Sequence, residues 1–135
     1  MIIGLGNDLA NIERIKKSLE KFGSRFVSHI FSAEEKEELR KREKISPHEY
    51  ACSVARRFSA KEACSKALGT GFKQGTFWSD IIVTHNPYGK PQISLRGGAQ
   101  KHLERLAQGH SYKINVSMTD DYPWAQAIVI IETID

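Results

Sequence analysis

The stretch Phe58-Ser59-Ala60-Lys61-Glu62-Ala63-Cys64-Ser65-Lys66 places charged side chains within a long helical pattern. We expect this helix to begin at Ser46-Pro47-His48-Glu49, which combines an N-cap, a proline at the first helical position and a capping-box glutamate. Gly69 is its expected end, because glycine commonly follows the last helical residue. The predicted helix would be the longest element of the fold.

A charged residue falls on the core-facing side of this predicted helix. At about 100° per residue, Ala51, Ala55, Phe58 and Glu62 share one face, and Lys66 lies one turn further on. A carboxylate in line with core side chains is costly unless a metal, a cation or a substrate neutralises it. We therefore expect the chemistry of this protein at Glu62.

A second acidic residue follows an apolar segment near the N-terminus. Ile2-Ile3-Gly4-Leu5-Gly6-Asn7-Asp8-Leu9 predicts a short buried strand that leads into Asp8, with Asn11 as the N-cap of the next helix. Asp8 and Glu62 together suit Mg2+, which prefers oxygen ligands and takes one or two carboxylates from a protein. Alternatively, Asp8 is a turn or cap residue and Glu62 forms an ion pair with Lys66.

Two motifs resemble the holo-acyl-carrier-protein synthase family, the small 4'-phosphopantetheinyl transferases. One is Gly6-Asn7-Asp8-Leu9 with Ile12-Glu13-Arg14-Ile15, and the other is residues 57–63 with 65–71, which carry the pattern Phe-x-x-Lys-Glu-Ala-x-x-Lys. The resemblance extends over nearly the whole chain. It implies transfer of 4'-phosphopantetheine from coenzyme A to a serine of apo-acyl carrier protein in fatty acid biosynthesis, with release of adenosine 3',5'-bisphosphate.

The resemblance also implies roles for three residues. By motif position Asp8 and Glu62 are the ligands of Mg2+, with Mn2+ as an alternative, and Asp8, Glu62 and Lys66 are catalytic. Lys66 would neutralise the diphosphate or protonate the leaving oxygen. The base that deprotonates the serine would be Glu62 or a water that it orients, and both possibilities stay open.

Further residues are predicted to contact coenzyme A. They are Arg57, Phe58, Ser65, Gly69, Thr70, Gly71, Gly89, Lys90, Pro91 and Thr119. Arg57 suits the 3'-phosphate, because a guanidinium matches phosphate geometry, although it would equally suit a solvated helix face. Gly69-Thr70-Gly71 would let the backbone approach a phosphate, or would only cap the helix. Gly89-Lys90-Pro91 resembles a loop near the nucleotide but also suits a hairpin turn.

One segment departs from the family pattern. Thr119-Asp120-Asp121 stands where many members carry a Ser-His pair on the penultimate strand. A histidine there can contact a phosphate, whereas an aspartate would repel it. We therefore retain Thr119 and not Asp120 as a substrate contact.

The charge balance indicates the partner. The chain has 20 basic and 16 acidic residues, a formal charge of +4. Arg14, Lys17, Lys21 and Arg25 recur at helical spacing along the first predicted helix, and this basic stripe would steer an acidic acyl carrier protein toward Asp8. Alternatively the stripe is an ordinary solvated face.

Three other functions remain as alternatives. A nucleic-acid-binding module would suit the basic pI of about 9.1, but aromatic residues interleaved with basic ones are not evident. A noncatalytic magnesium- or nucleotide-binding subunit would be expected to lose Lys66, which is present. The third alternative keeps the transferase activity and changes its acceptor to carrier domains of a polyketide or peptide synthase.

The predicted elements add up to an α+β fold with a mainly antiparallel sheet packed with helices, the 4'-phosphopantetheinyl transferase fold. We expect one domain over residues 1–135. A helix should run from Asn11 to Gly23, and another over Ala33–Glu43 behind the cap Ser32. Further elements are predicted as strands at 80–84, 92–95 and 112–118, a helix at 99–107 and a central apolar strand at 127–131.

The composition also bears on location and assembly. No apolar run approaches the roughly 20 residues of a membrane span, and the N-terminus does not have the pattern of a signal peptide. Cys52 and Cys64 would lie about 18 Å apart on one helix, too far for a disulfide, which favours a reduced, cytoplasmic protein. The scattered histidines argue against zinc. The family resemblance implies a homotrimer with sites between subunits, and no nucleic-acid or membrane partner.

Overall fold

The structure, a computed structural model that describes residues 1–134, has an α+β architecture around one long helix. The elements in chain order are β1 (Ile2–Asn11), α1 (Ile12–Phe22), α2 (Ser24–Ile30), α3 (Ala33–Glu43), α4 (Pro47–Leu68), a 3-10 turn (Trp78–Asp80), β2 (Ile81–His85), β3 (Pro91–Leu95), α5 (Gly97–Ala107), β4 (Ser111–Asp121) and β5 (Trp124–Ile134). The predicted fold class and the long central helix are confirmed.

The strands form two antiparallel sheets. One has the order β1-β5-β4, so the apolar strand β5 is central, as predicted. The other is the hairpin β2-β3, which hydrogen-bonds to neither edge of the first sheet. The sequence predicted antiparallel pairing correctly, but not this division into two sheets.

Local capping signals explain most helix boundaries. The Asn11 side chain accepts a hydrogen bond of 2.8 Å from the backbone N–H of Glu13, and Ser32 forms a capping box with Glu35. Gly69 ends α4 in the left-handed conformation, with φ of 81°, which glycine adopts at little cost. These boundaries agree with the prediction.

The predicted capping box at the start of α4 is only half formed. Ser46 Oγ accepts from the N–H of Glu49 at 3.0 Å. The Glu49 carboxylate instead lies 3.7 Å from guanidinium nitrogens of both Arg42 and Arg56. Two nearby cations therefore draw this carboxylate away from the helix end.

A short helix that the sequence analysis did not predict follows α1. Gly23 ends α1 as expected, but α2 begins at the next residue and buries Val27 and Ile30. Arg25 therefore lies on α2, and the prediction that it belongs to the first helix was wrong.

The core has two parts, and α4 contributes to both. Its first half packs against α1, α2 and α3, through buried residues such as Val54, Ile12 and Leu39. Its second half packs against both sheets and α5, through residues such as Cys64 and Leu103. The helix is thus buried around most of its circumference.

Two glycines let β1 lie directly on α4. A Cβ atom on Gly6 would overlap the carbonyl oxygen of Ala63, and one on Gly4 would overlap that of Ala67. Only a residue without a side chain permits this approach. The strand continues to Asn11, so Asp8 lies within β1 and not at its end, contrary to the prediction.

No helix within residues 1–134 is both long enough and apolar enough to span a membrane.

Candidate active site

Three side chains of α4 form a row that faces β1. Ser59, Glu62 and Lys66 are separated by three and four positions, so they stack on one helical face. The close backbone contact between β1 and α4 places Asp8 opposite this row. One strand and one helix therefore position all four side chains.

The row holds both oxygens of the Asp8 carboxylate. Lys66 Nζ lies 3.1 Å from Asp8 Oδ1 and also donates to the carbonyl oxygen of Asn7 at 3.0 Å. Ser59 Oγ lies 2.8 Å from the backbone oxygen of Asp8 and 3.1 Å from its Oδ2. The Asp8 side chain is 14% exposed, so its orientation is set by these contacts.

Glu62 is half-buried between these contacts, and its environment disfavours the carboxylate. Burial raises the pKa of Glu62 above its usual value, the charge of Asp8 raises it further, and Lys66 partly opposes both effects. The ion pair of Lys66 is with Asp8. The alternative of a Glu62–Lys66 ion pair was therefore wrong, because Lys66 reaches across to the strand.

The buried charges of α4 are Lys61 and Arg57, not Glu62. Lys61 is 0% exposed, and its Nζ lies 2.6 Å from Oε1 of the equally buried Glu35. Carbonyl oxygens of Ile30, Trp78 and Ile81 complete its surroundings, at 2.9, 2.9 and 2.6 Å. The expectation that Glu62 is the core-facing charge was wrong by one position, because α2, α3 and β2 enclose the adjacent Lys61.

Asp8 and Glu62 form a pair of carboxylates that fits a hard divalent cation. Within residues 1–134, no group of three or more His, Cys, Asp or Glu side chains is placed to hold a metal. Mg2+ needs no such group, since it commonly takes one or two carboxylates and completes its octahedron with waters and substrate phosphates. Burial raises the pKa of Glu62 most and the charge of Asp8 raises it further, and a cation between the two carboxylates would relieve both effects.

Arg57 is buried, so the alternative that it lies on a solvated face of the helix is wrong. It is 2% exposed, with one terminal nitrogen 3.2 Å from Ser53 Oγ and the other 3.3 Å from His85 Nδ1. Its Nε is buried and has no hydrogen-bond partner within the described residues. Burial and the Arg57 charge lower the pKa of His85, so that Nδ1 can accept. The sequence analysis did not identify His85.

The predicted glycine segments have structural roles in the chain itself. Gly69 caps α4, and Thr70 Oγ1 bonds the carbonyl oxygen of Gly71 at 2.8 Å. Gly89 and Lys90 lie in the exposed turn of the β2-β3 hairpin, and Pro91 begins β3. The cap and hairpin interpretations are therefore correct, and contact of these residues with coenzyme A stays a prediction.

Two other predicted contact residues make contacts within the protein, Phe58 as a partly buried side chain and Ser65 as a fully buried one. Phe58 stacks with Trp78 at a centroid distance of 5.0 Å and with Phe26 at 6.4 Å. Ser65 is fully buried, and its Oγ donates to the backbone oxygen of Glu62 at 2.7 Å. In the described contacts, both side chains support the helix rather than line a surface.

Asp120 is neutralised within the chain. Its Oδ1 accepts a hydrogen bond of 2.9 Å from Arg56 on α4, while the neighbouring Thr119 is exposed on β4. The repulsion between Asp120 and a phosphate that the sequence analysis anticipated is thereby reduced.

The basic stripe is fully on the surface. Its members Arg14, Lys17, Lys21 and Arg25 are all exposed, the first three on α1 and the last on α2. α1 begins directly after the strand that carries Asp8, so the stripe starts near the carboxylate pair.

Comparisons with known proteins establish the family of this chain. Residues 4–127 match the 4'-phosphopantetheinyl transferase superfamily. A holo-[acyl-carrier-protein] synthase of Sphingopyxis alaskensis is 50% identical over 135 residues, which cover 99% of this chain and 98% of that protein. The crystal structure of the Neisseria meningitidis holo-[acyl-carrier-protein] synthase has a TM-score of 0.83 at 34% identity, covering 98% of this chain and 100% of that one.

A further solved structure is the Helicobacter pylori holo-[acyl-carrier-protein] synthase in complex with coenzyme A. Its TM-score is 0.78 at 26% identity, and the match covers 95% of this chain and 99% of that chain. With a family match over most of its length and relatives of this similarity, the chain belongs to the 4'-phosphopantetheinyl transferase superfamily.

Proposed function

We propose that this protein transfers the 4'-phosphopantetheine group of coenzyme A to a serine of apo-acyl carrier protein. The observation that carries the proposal is the carboxylate pair Asp8 and Glu62 with Lys66 beside it, in a chain 50% identical to a holo-[acyl-carrier-protein] synthase. The coenzyme A complex of the Helicobacter pylori relative supports the donor substrate.

Asp8 and Glu62 would hold Mg2+, or Mn2+ in its place. When bound, the cation supplies charge neutralisation and a template at the diphosphate. The half-buried position of Glu62, where its negative charge is disfavoured, supports a cation at this point.

The chain's own residues would manage the protons of the reaction. The serine oxygen of the carrier attacks the phosphorus next to the pantetheine, and the bond from that phosphorus to the oxygen of adenosine 3',5'-bisphosphate breaks. Glu62, or a water that it orients, takes the serine proton. Lys66 is half exposed and lies 3.1 Å from Asp8, where it would neutralise or protonate the leaving oxygen.

The nucleotide would be held by residues outside the carboxylate pair. Arg57 is the candidate for the 3'-phosphate, since its buried Nε has no partner in the described residues. Gly69-Thr70-Gly71, Gly89-Lys90-Pro91 and Thr119 remain candidate contacts.

The acidic partner would dock on the basic stripe of α1 and α2. All four stripe residues are exposed, and the stripe begins near Asp8. Carrier domains of polyketide or peptide synthases are the alternative acceptors, because a serine hydroxyl would accept the phosphopantetheine group there too.

We also propose that three copies assemble with sites between subunits. The outer face of the β1-β5-β4 sheet supports this, because Leu5, Leu9 and Ile128 there are 64%, 58% and 41% exposed. One domain over residues 1–135 remains an expectation. A cytoplasmic location is a second one, and the two free, buried cysteines support it.

Mass spectrometry of apo-acyl carrier protein tests the transfer. The carrier is incubated with coenzyme A, Mg2+ and this protein, beside Glu62→Gln and a chelator control. A gain of one phosphopantetheine by the carrier, lost in both controls, is the expected result. Unmodified carrier despite measured binding of coenzyme A would favour a noncatalytic, nucleotide-binding subunit.

A further inference from the structure

We propose that Ser59 is a positioning residue that fixes the Asp8 carboxylate for the divalent cation, an inference that rests on the proposed function of Asp8. Ser59 is 0% exposed and lies on α4, one turn before Glu62. Its hydroxyl meets the backbone oxygen of Asp8 at 2.8 Å and Oδ2 at 3.1 Å.

The two contacts define the orientation of the whole side chain. A hydroxyl that bridges the backbone oxygen and one carboxylate oxygen restrains rotation about the bonds between them. Lys66 holds the opposite oxygen, Oδ1, at 3.1 Å. Both oxygens of the Asp8 carboxylate are thus held, by residues on either side of Glu62 in the same helical row.

Groups that orient a metal ligand without touching the metal affect its affinity strongly. Their removal typically weakens metal binding about 10- to 100-fold. Ser59 is itself fully buried, so its hydroxyl is directed at Asp8 and not at solvent. We therefore expect Ser59→Ala to weaken Mn2+ binding about tenfold, near the lower end of that range.

Electron paramagnetic resonance of free Mn2+, in the presence of saturating coenzyme A, measures this affinity directly. Ser59→Cys is a second, nearly isosteric variant with only a weak donor, and it should also bind Mn2+ more weakly than wild type. Ser32→Ala is the control, because Ser32 is another buried serine, which caps α3 and does not contact Asp8. Circular dichroism establishes that each variant is folded.

The outcomes separate this inference from the proposed function. Weaker Mn2+ binding by Ser59→Ala or Ser59→Cys, with Ser32→Ala unchanged, supports the role of Ser59. Wild-type affinity in the folded Ser59 variants, with binding lost in Asp8→Asn, overturns it and leaves Asp8 as the ligand. Wild-type affinity in Asp8→Asn would remove the metal site itself, and the inference with it.

Discussion

Lys61 and Glu35 form an ion pair of 2.6 Å in which both side chains are completely buried. Glu35 Oε2 also accepts from the backbone N–H of Val83, while Lys61 reaches backbone oxygens on either side of the pair. The pair therefore ties α3, α4 and the β2-β3 hairpin together immediately beside Glu62.

Breaking this pair should destabilise the protein strongly. Removal of one partner of a buried ion pair commonly costs about 3–5 kcal/mol, because the other charge is left unpaired. We expect Glu35→Gln and Lys61→Met each to lower the free energy of unfolding by that order, measured by urea denaturation. The double variant should lose less than the sum of the two. Additive losses would contradict the coupling.

Glu62→Gln should remove activity and yet stabilise the folded chain. The folded-state pKa of Glu62 is raised, so the folded chain loses stability as the pH rises past the unfolded-state pKa, and the loss is complete above the folded-state pKa. At pH 7–8, with chelator present, the variant should therefore have a higher melting temperature than wild type. Its transfer rate should fall at least about 100-fold.

Glu20→Gln serves as the control for Glu62→Gln, because Glu20 is exposed on α1. Its melting temperature should stay close to that of wild type. A Glu62→Gln protein that melts below wild type would contradict the assigned direction of the pKa shift.

Gly6→Ala should separate β1 from α4. The added methyl group would overlap the carbonyl oxygen of Ala63, and overpacking of this kind costs about 1–3 kcal/mol or more. Gly109→Ala is the matched control. Its φ of 85° makes an alanine strained there, but no atom lies within 4 Å of the new Cβ. Gly6→Ala should lose Mn2+ affinity and Gly109→Ala should keep it, even at similar melting temperatures.

Arg14→Glu should weaken the binding of acyl carrier protein and leave the binding of coenzyme A unchanged. An exposed charge at an interface acts mainly on association, so we expect KM for the acyl carrier protein to rise about tenfold at low salt. The difference from wild type should shrink as salt screens the interaction. Lys101→Glu, at an exposed position of α5, is the charge-matched control. Equal effects of the two variants would argue against docking on α1.

Both cysteine thiols should be unreactive in the folded protein. Burial raises the pKa of Cys64 to about 12, so its thiolate is scarce at pH 8, and burial also raises the pKa of Cys52. Ellman's reagent should label neither within minutes, and both in denaturant. Rapid labelling of the native Cys52→Ser variant would contradict the burial of Cys64.

Local chemistry is what the sequence predicted well. Asn11, Ser32 and Gly69 act through neighbours only a few positions away, so their caps can be read without the fold. Asp8 and Glu62 were identified by sequence pattern and given their metal roles by family resemblance, and the structure brings their charges close enough to interact. Their metal and substrate roles remain predictions.

Contacts on the circumference of α4 could not be predicted in the same way. Helical periodicity identifies a buried face only when another face is exposed, and α4 has buried residues on nearly every side. Lys61 and Glu62 are adjacent, so the positions of α2, α3 and the hairpin decide which charge is enclosed. The signal that would have revealed the β1 contact is the alternation Gly4-x-Gly6, which lets a strand lie on a helix backbone.

The pairing of β1 with β5 governs when the site can exist during protein synthesis. Asp8 is opposite Ala127 in that pairing, so a ribosome makes the two positions near opposite ends of this chain. A nascent chain that ends before β5 contains Asp8 on β1 and both Ser59 and Glu62 on α4, but it lacks the central strand of the sheet. Catalytic competence should therefore appear only once β5 has been synthesised. Products that end before β5 should be inactive and open to proteolysis.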